Sequence, residues 1–125
     1  MKTTRIILAT MAVIALFSAC KKAGTGGKVT VAAIPQHHGK SIYGATVYVK
    51  FNTKDSPGTD AANYDMTLVG DATEEHIHID GLKKGDYYFY AVGYDSAISM
   101  PVYGGVPLTI KEKSGEIDLE IPVVE

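Results

Sequence analysis

Residues 45–51 read Ala-Thr-Val-Tyr-Val-Lys-Phe, and this alternation of apolar with other side chains decides the fold class. Successive side chains of a β-strand point to opposite faces, so Val47, Val49 and Phe51 share one face and Tyr48 lies on the other. The apolar face is expected to pack into a core. The stretch therefore predicts a β-strand that is buried on one side.

The same two-residue period recurs outward from this strand in both directions. Runs rich in Val, Ile, Tyr and Thr are separated by Gly, Pro, Asn and Asp, and no window of a dozen residues carries a helical period. A lone sheet would leave its apolar face in water, so the pattern predicts an all-β, seven-stranded, two-sheet sandwich. The predicted strands are residues 28–34, 45–51, 64–69, 75–80, 86–93, 106–111 and 116–124.

Three further expectations follow from these strands. The last two are expected to form a hairpin around a turn at 113–115, and the segments 52–63 and 95–105 are expected to be long loops. The predicted core contains the apolar residues of the inward faces: Val47, Val49, Phe51, Ile77, Ile79, Leu82, Phe89, Leu108, Ile110, Ile117, Leu119 and Ile121.

The first twenty residues have the order of an export signal. Lys2 and Arg5 precede an apolar run over residues 6–17, which is too short to span a bilayer as a helix. The run ends in Leu-Phe-Ser-Ala-Cys at 16–20, which resembles the lipobox of bacterial lipoproteins. That resemblance implies cleavage before Cys20 and its acylation, so residues 1–19 are expected to be a signal peptide.

Composition and charge narrow the possible functions of the part of the chain that follows the signal. Two of the 12 basic residues, Lys2 and Arg5, precede Cys20 and all 14 acidic residues follow it, so the remainder carries ten lysines, no arginine and a formal net charge of −4. An acidic part without arginine is a poor nucleic-acid binder. Residues 20–27 are rich in glycine and are expected to be an acylated, flexible tether to a β-sandwich domain at 28–125.

Two segments also resemble a known family of sandwich domains. They are Gly-Lys-Ser-Ile-Tyr-Gly-Ala-Thr-Val-Tyr-Val at 39–49 and Ile-Asp-Gly-Leu-Lys-Lys-Gly-Asp-Tyr-Tyr-Phe at 79–89. Together they resemble the transthyretin-like, carboxypeptidase-regulatory-like modules, whose architecture is immunoglobulin-like. The resemblance implies an accessory module of an envelope or surface protein, because such modules are mostly non-catalytic.

Four histidines are candidate ligands for a metal ion. His76 and His78 are two apart on a predicted strand, so both imidazoles project from one face and could share an ion. His37 and His38 follow Pro35 in a predicted loop, at a hairpin tip. An imidazole site suits Cu(II) or Zn(II). The alternative is that the two pairs never meet and no cofactor is held.

A tyrosine-rich strand is the candidate binding surface. Residues 86–94 read Asp-Tyr-Tyr-Phe-Tyr-Ala-Val-Gly-Tyr, which places Tyr88, Tyr90 and Tyr94 on one face, and Tyr48 is expected to add to it. Such a surface suits an envelope protein or a glycan. The alternative is a central strand whose outer rings are covered by the long loops.

These observations favour a non-catalytic lipoprotein of the cell envelope, lipid-anchored in the outer membrane and facing the periplasm, that acts as an interaction module. No serine lies in a recognisable nucleophile motif, and the one cysteine is the expected anchor, so the chain is not expected to be an enzyme. Transition-metal binding through the histidines in the periplasm is the alternative function.

Overall fold

The computed structural model describes residues 22–125, and its longest strand, β1 (Thr25–His37), organises the first of two sheets. β1 pairs antiparallel with β2 (Lys40–Ser41) and with β5 (Ile77–Leu82), and it pairs in parallel with β8 (Ser114–Pro122). The second sheet is antiparallel and has the order β4 (Met66–Val69), β3 (Thr46–Phe51), β6 (Gly85–Asp95), β7 (Met100–Ile110). A 3₁₀ turn at Ala61–Asn63 lies between β3 and β4.

This arrangement confirms the predicted all-β sandwich, with eight strands in place of seven. The additional strand is the two-residue β2, which is too short for an alternating pattern to reveal. No helix among residues 22–125 has the length and apolar character needed to cross a membrane.

The core lies between the two sheets and is made by the alternating inward side chains. All twelve predicted core residues either belong to it or pack against it. Phe89 of β6 is fully buried between the two sheets. β1 contributes Val29 and Val31 to the same core. Tyr87 is also fully buried, and its hydroxyl group donates a hydrogen bond to the carbonyl of Lys83 over 2.7 Å.

The predicted hairpin between the last two strands is wrong. β7 pairs with β6, whereas β8 crosses to the first sheet and runs parallel to β1 from Lys28↔Ser114 to Gln36↔Pro122. Pairing with β7 or with β1 would bury the same face of β8, because the apolar residues of β8 alternate in the same way beside either strand. The alternation therefore identified the strand without identifying its partner.

The predicted loop at 95–105 is also wrong, because β7 begins at Met100 and forms a hairpin with β6 across a short turn. Its glycines made this segment look like a loop, but they serve close packing. A methyl group at Gly105 would lie 2.6 Å from the Tyr88 hydroxyl group, and one at Gly104 would collide with the backbone carbonyl of Pro122. The second predicted loop, 52–63, does connect β3 and β4.

The predicted tether needs a similar correction over its described part. β1 begins at Thr25, Ala23 is buried, and the amide of Gly24 donates to the Tyr87 hydroxyl oxygen over 2.9 Å. A methyl group at Gly27 would collide with the backbone of Leu82. Residues 23–27 therefore pack against the sandwich, and their small side chains permit that contact.

Candidate functional site

The hairpin between β1 and β2 places two histidines at one end of the first sheet. His37 is the last residue of β1 and pairs with Lys40, so His38 and Gly39 form a two-residue turn. Both have positive φ angles, 52° and 79°, as a type I′ hairpin turn requires. His37 therefore belongs to a strand, which corrects the prediction that it lies in a loop, whereas His38 is exposed at the tip as predicted.

His37 is buried, with 1% of its side chain exposed, and a carboxylate lies at each of its ring nitrogens. Its Nδ1 is 2.7 Å from Oδ2 of Asp95 at the end of β6, and its Nε2 is 2.8 Å from Oε2 of Glu125. The segment that carries Glu125 is fixed by two backbone hydrogen bonds between Tyr103 and Val124. The imidazole therefore joins three distant parts of the chain.

These contacts shift all three ionisation equilibria. The hydrogen bond to Asp95 is the largest cause that raises the pKa of His37 above its ordinary 6.5, burial opposes it, and Glu125 adds to the increase. The hydrogen bond from His37 is likewise the largest cause that lowers the pKa of Asp95 and that of Glu125. The arrangement favours an imidazolium that donates a hydrogen bond to each carboxylate.

His38 completes a group of possible ligands around this point. Its ring centroid lies 4.0 Å from that of His37. Among residues 22–125, His37, His38 and Glu125 are the one group of three His, Cys, Asp or Glu residues whose ligand atoms all lie within 4.8 Å of one another. His37 and His38 also line a cavity of about 280 Å³, to which Glu120 contributes. We call His37, His38, Asp95 and Glu125 the histidine–carboxylate cluster.

The other histidine pair lies elsewhere on the first sheet. His76 and His78 have ring centroids 5.9 Å apart, and Nε2 of His78 lies 3.8 Å from Oε2 of Glu116. His78 pairs with Ala32 of β1, five residues before His37, which corresponds to about 17 Å along the strand. The four predicted ligands therefore form two separate pairs.

The tyrosines of the second sheet do come together on its outer face. Tyr87, Phe89 and Ala91 of β6 are buried inward, and the residues between them face outward. Tyr48 pairs directly with Tyr90 across β3 and β6, and their ring centroids lie 6.0 Å apart.

Tyr64, which the sequence analysis did not single out, packs on both of these rings. Its centroid lies 5.7 Å from that of Tyr48 and 5.8 Å from that of Tyr90, and it stacks nearly parallel to Tyr90. Its hydroxyl group donates to the carbonyl of Gly58 over 2.7 Å, so the 52–63 segment holds it in place. Tyr90 is consequently only 8% exposed.

The exposed part of this face lies at the hairpin of β6 and β7. Tyr94 is 57% exposed and Tyr103 is 46% exposed. Tyr88 is half-buried, and its ring lies against Gly105. We call the whole set the tyrosine surface; it comprises Tyr48, Tyr64, Tyr88, Tyr90, Tyr94 and Tyr103.

Four residues of these two sites escaped the sequence reasoning. Asp95 and Glu125 are 58 and 88 positions from His37, and no local pattern reports contacts at such separations. Tyr64 and Tyr103 could have been added to the candidate surface, because the chain has eight tyrosines and these two are of the same residue type. The predicted acylation site, Cys20, lies outside the described residues.

Searches against family models, curated proteins and solved structures found no match to this chain.

Proposed function

We propose that the protein is a non-catalytic, lipid-anchored protein of the cell envelope that binds a partner through its tyrosine surface. The single observation that carries the proposal is the packing of Tyr48, Tyr64 and Tyr90 into one aromatic layer, with centroids 5.7 to 6.0 Å apart, on the outer face of the second sheet. Beside this layer the rings of Tyr94 and Tyr103 remain open to solvent.

The chemistry of the surface favours a glycan over a charged ligand. Each tyrosine offers an apolar ring face and a hydroxyl group at its edge, which matches a sugar ring with its C–H faces and hydroxyl groups. Pro101 and Pro107 occupy outward positions near the two ends of β7, opposite Tyr94 and Tyr88. The nearby Lys50 lies 3.7 Å from Asp65, so its charge already has a partner.

The layer is also held in place before any ligand arrives. The hydrogen bond from Tyr64 to Gly58 and the contacts of Tyr64 with Tyr48 and Tyr90 limit the motion of the three rings. A surface that is ordered in advance loses less conformational entropy on binding. This supports a binding role for the exposed rings next to the layer.

The envelope location rests on the residues before the domain. The lipobox-like sequence at 16–20 supports acylation of Cys20, and the residues after it lack the acidic signals expected for other destinations. The resemblance to transthyretin-like modules supports an accessory, non-catalytic role. Outer-membrane anchoring with the domain on the periplasmic side is the corresponding location.

The test compares two exposed rings of the tyrosine surface with an exposed ring on the opposite sheet. Purified full-length chain, Tyr94→Ala with Tyr103→Ala, and His78→Ala are run through gels that contain envelope polysaccharide. We expect retardation of the parent and of His78→Ala, and loss of retardation in the tyrosine double variant. His78 is a suitable control because its side chain is 46% exposed, like Tyr103.

Equal mobility of all three proteins, with and without polysaccharide, would refute the binding of a glycan to the tyrosine surface. Capture of an envelope protein that the tyrosine double variant loses would identify a protein partner for the same surface. Because the chain has no tryptophan, its ultraviolet emission comes from tyrosine alone, and quenching on binding provides a second readout.

A further inference from the structure

We infer that His37, His38 and Glu125 form a binding site for a divalent transition-metal ion of the Zn(II) and Cu(II) class, with Asp95 as the residue that positions His37. The site lies at the β1–β2 hairpin, and it does not depend on the tyrosine surface. The first observation behind it is the mutual approach of three ligand atoms within 4.8 Å.

The donor set suits such an ion. The two imidazole nitrogens are borderline ligands, which favour zinc and copper over the hard ions calcium and magnesium. A carboxylate oxygen is a hard ligand that zinc also accepts. Ligand atoms on one tetrahedral Zn(II) lie about 3.3 Å apart, given bond lengths of about 2 Å. His37 Nε2 and Glu125 Oε2 are already 2.8 Å apart. His38 and Glu125 are both exposed and can adjust, so the final approach requires no movement of the core.

Asp95 supplies the feature that distinguishes this arrangement from a chance cluster. Its carboxylate lies at Nδ1 of the buried His37, and this leaves Nε2 as the nitrogen that faces Glu125. His37 itself lines the adjacent cavity. Metal-binding histidines commonly hydrogen-bond their second ring nitrogen to a carboxylate, which fixes the ring orientation and strengthens the ligand. The ion would take the position of the hydrogen that now lies between His37 Nε2 and Glu125.

The surroundings leave room for further ligands. The adjacent cavity of about 280 Å³ is wide enough for several water molecules, and Glu120 lines it as a further oxygen donor. A site with three protein ligands and an open position keeps access to solvent. The hairpin turn at His38 and Gly39 keeps His38 beside His37, because both turn residues hold the positive φ angles of a tight two-residue connection.

The other histidine pair provides a matched control within the same protein. His76 and His78 also present two imidazoles on the first sheet, but within residues 22–125 they belong to no group of three ligands that meets the same distance limit. They are more exposed than His37, and within the described part of the chain their one carboxylate contact shorter than 4 Å is the 3.8 Å approach of Glu116 to His78. Replacing them removes two imidazoles without touching the proposed site.

The experiment uses full-length chain without a histidine tag, in detergent, with Cys20→Ser to remove its one thiol. Zn(II) is titrated in competition with a chromophoric chelator. We expect one equivalent with a dissociation constant of about 10 µM or tighter. His38→Ala and Glu125→Gln, both at exposed positions, should each weaken binding at least about tenfold, and His76→Ala with His78→Ala should leave the affinity unchanged.

A separate measurement tests the positioning role of Asp95. ¹⁵N spectra of the imidazole rings should show zinc at Nε2 of His37 in the parent. Asp95→Asn should weaken binding by about 10- to 100-fold and divide the ion between the two ring nitrogens. A merely structural role would leave the ion at Nε2. Circular dichroism without metal confirms that each variant compared is folded.

The inference is overturned if Zn(II) binds no more tightly than about 1 mM, if His38→Ala binds as the parent does, or if the His76 and His78 variant is the one that loses binding. Because the titration contains no glycan, these outcomes are independent of the polysaccharide test of the tyrosine surface.

Discussion

The two outward faces of this sandwich differ in chemistry although the strands beneath them alternate in the same way. The first sheet turns carboxylates and imidazoles outward, with Glu116, Asp118 and Glu120 in a row on β8 and His78 on β5. The second sheet turns tyrosines outward, with Tyr48, Tyr64 and Tyr90 in mutual contact.

This difference shows which positions decide the fold and which are free for another purpose. The row of acidic residues keeps the first face in water, because bringing another surface over it would desolvate like charges. The second face holds aromatic rings whose removal from water is favourable. Inward residues on both sheets form one continuous core, so the outward residues alone distinguish the acidic face of the first sheet from the aromatic face of the second.

The largest expected effect comes from the core that both faces share. Phe89→Ala should lower the free energy of unfolding by about 3 to 5 kcal/mol, because it leaves a cavity between the sheets where Phe89 is now fully buried. Denaturant unfolding followed by circular dichroism measures the change.

Phe89→Leu is the control and should cost clearly less, since it keeps most of the buried volume. A Phe89→Ala variant with stability within about 0.5 kcal/mol of the parent would contradict the sandwich core.

The next effect concerns the start of the first sheet. Gly27→Ala should lower the free energy of unfolding by about 1 to 3 kcal/mol, because its methyl group would collide with the backbone of Leu82 and force the strands apart. A flexible tether predicts no loss, or a small gain from a stiffer unfolded chain. Lys22→Ala, at an exposed position, is the control and should leave the thermal midpoint unchanged.

A third prediction concerns pH and the histidine–carboxylate cluster. The pKa of His37 is raised, so its stabilisation is full below about pH 6.5 and is lost as the pH rises through the raised value. The pKa values of Asp95 and Glu125 are lowered from 3.8 and 4.5, so their stabilisation is present above those values and is lost as the pH falls through the lowered ones. The cluster therefore stabilises the fold most between about pH 4.5 and 6.5.

Thermal midpoints measured from pH 3 to 9 with a chelator present test this profile. Asp95→Asn removes the largest cause of the His37 shift, and the difference from the parent should be greatest inside that window. The charge of Lys40 acts on Asp95 and that of His38, within the cluster, acts on Glu125, and both residues remain in the two proteins. Parallel curves for the two proteins over the whole range would show that the cluster does not contribute.

The smallest effect distinguishes exposed from covered tyrosines. Tyr94→Ala should change the free energy of unfolding by less than about 0.5 kcal/mol, because more than half of this residue is in solvent. Tyr64→Ala should cost about 1 kcal/mol or more, because it removes two aromatic contacts and the hydrogen bond to Gly58. Equal costs in denaturant unfolding would mean that Tyr64 does not cover the layer.

The sequence predicts most of the strands and the core because both follow from short-range alternation. Residues 46–51 of the first predicted strand lie in β3 and residues 86–93 lie in β6, and Val47 and Phe89 are buried as expected. The same alternation does not identify partners. Ile121 of β8 would be buried beside either sheet, so the pairing of β8 with β1 required the whole fold.

Glycine was the second source of error, because it has two different uses. Gly104 and Gly27 suggested a loop and a tether, but both lie in strands at points where another backbone comes too close for a side chain. The histidine–carboxylate cluster was unpredictable for a third reason. It joins His37 to Asp95 and Glu125, which are far apart in the sequence and are brought together by the tertiary fold.

The early start of β1 also sets how far the domain would stand from the lipid that we propose on Cys20. Ala23 is already buried against the sandwich, so with lipid on Cys20 only three residue steps separate the acyl chains from the folded domain. Fully extended, they reach about 10 Å. With that lipid in place, the domain would sample only a thin layer next to the bilayer, where its effective concentration towards membrane-attached ligands is high and distant ligands are out of reach.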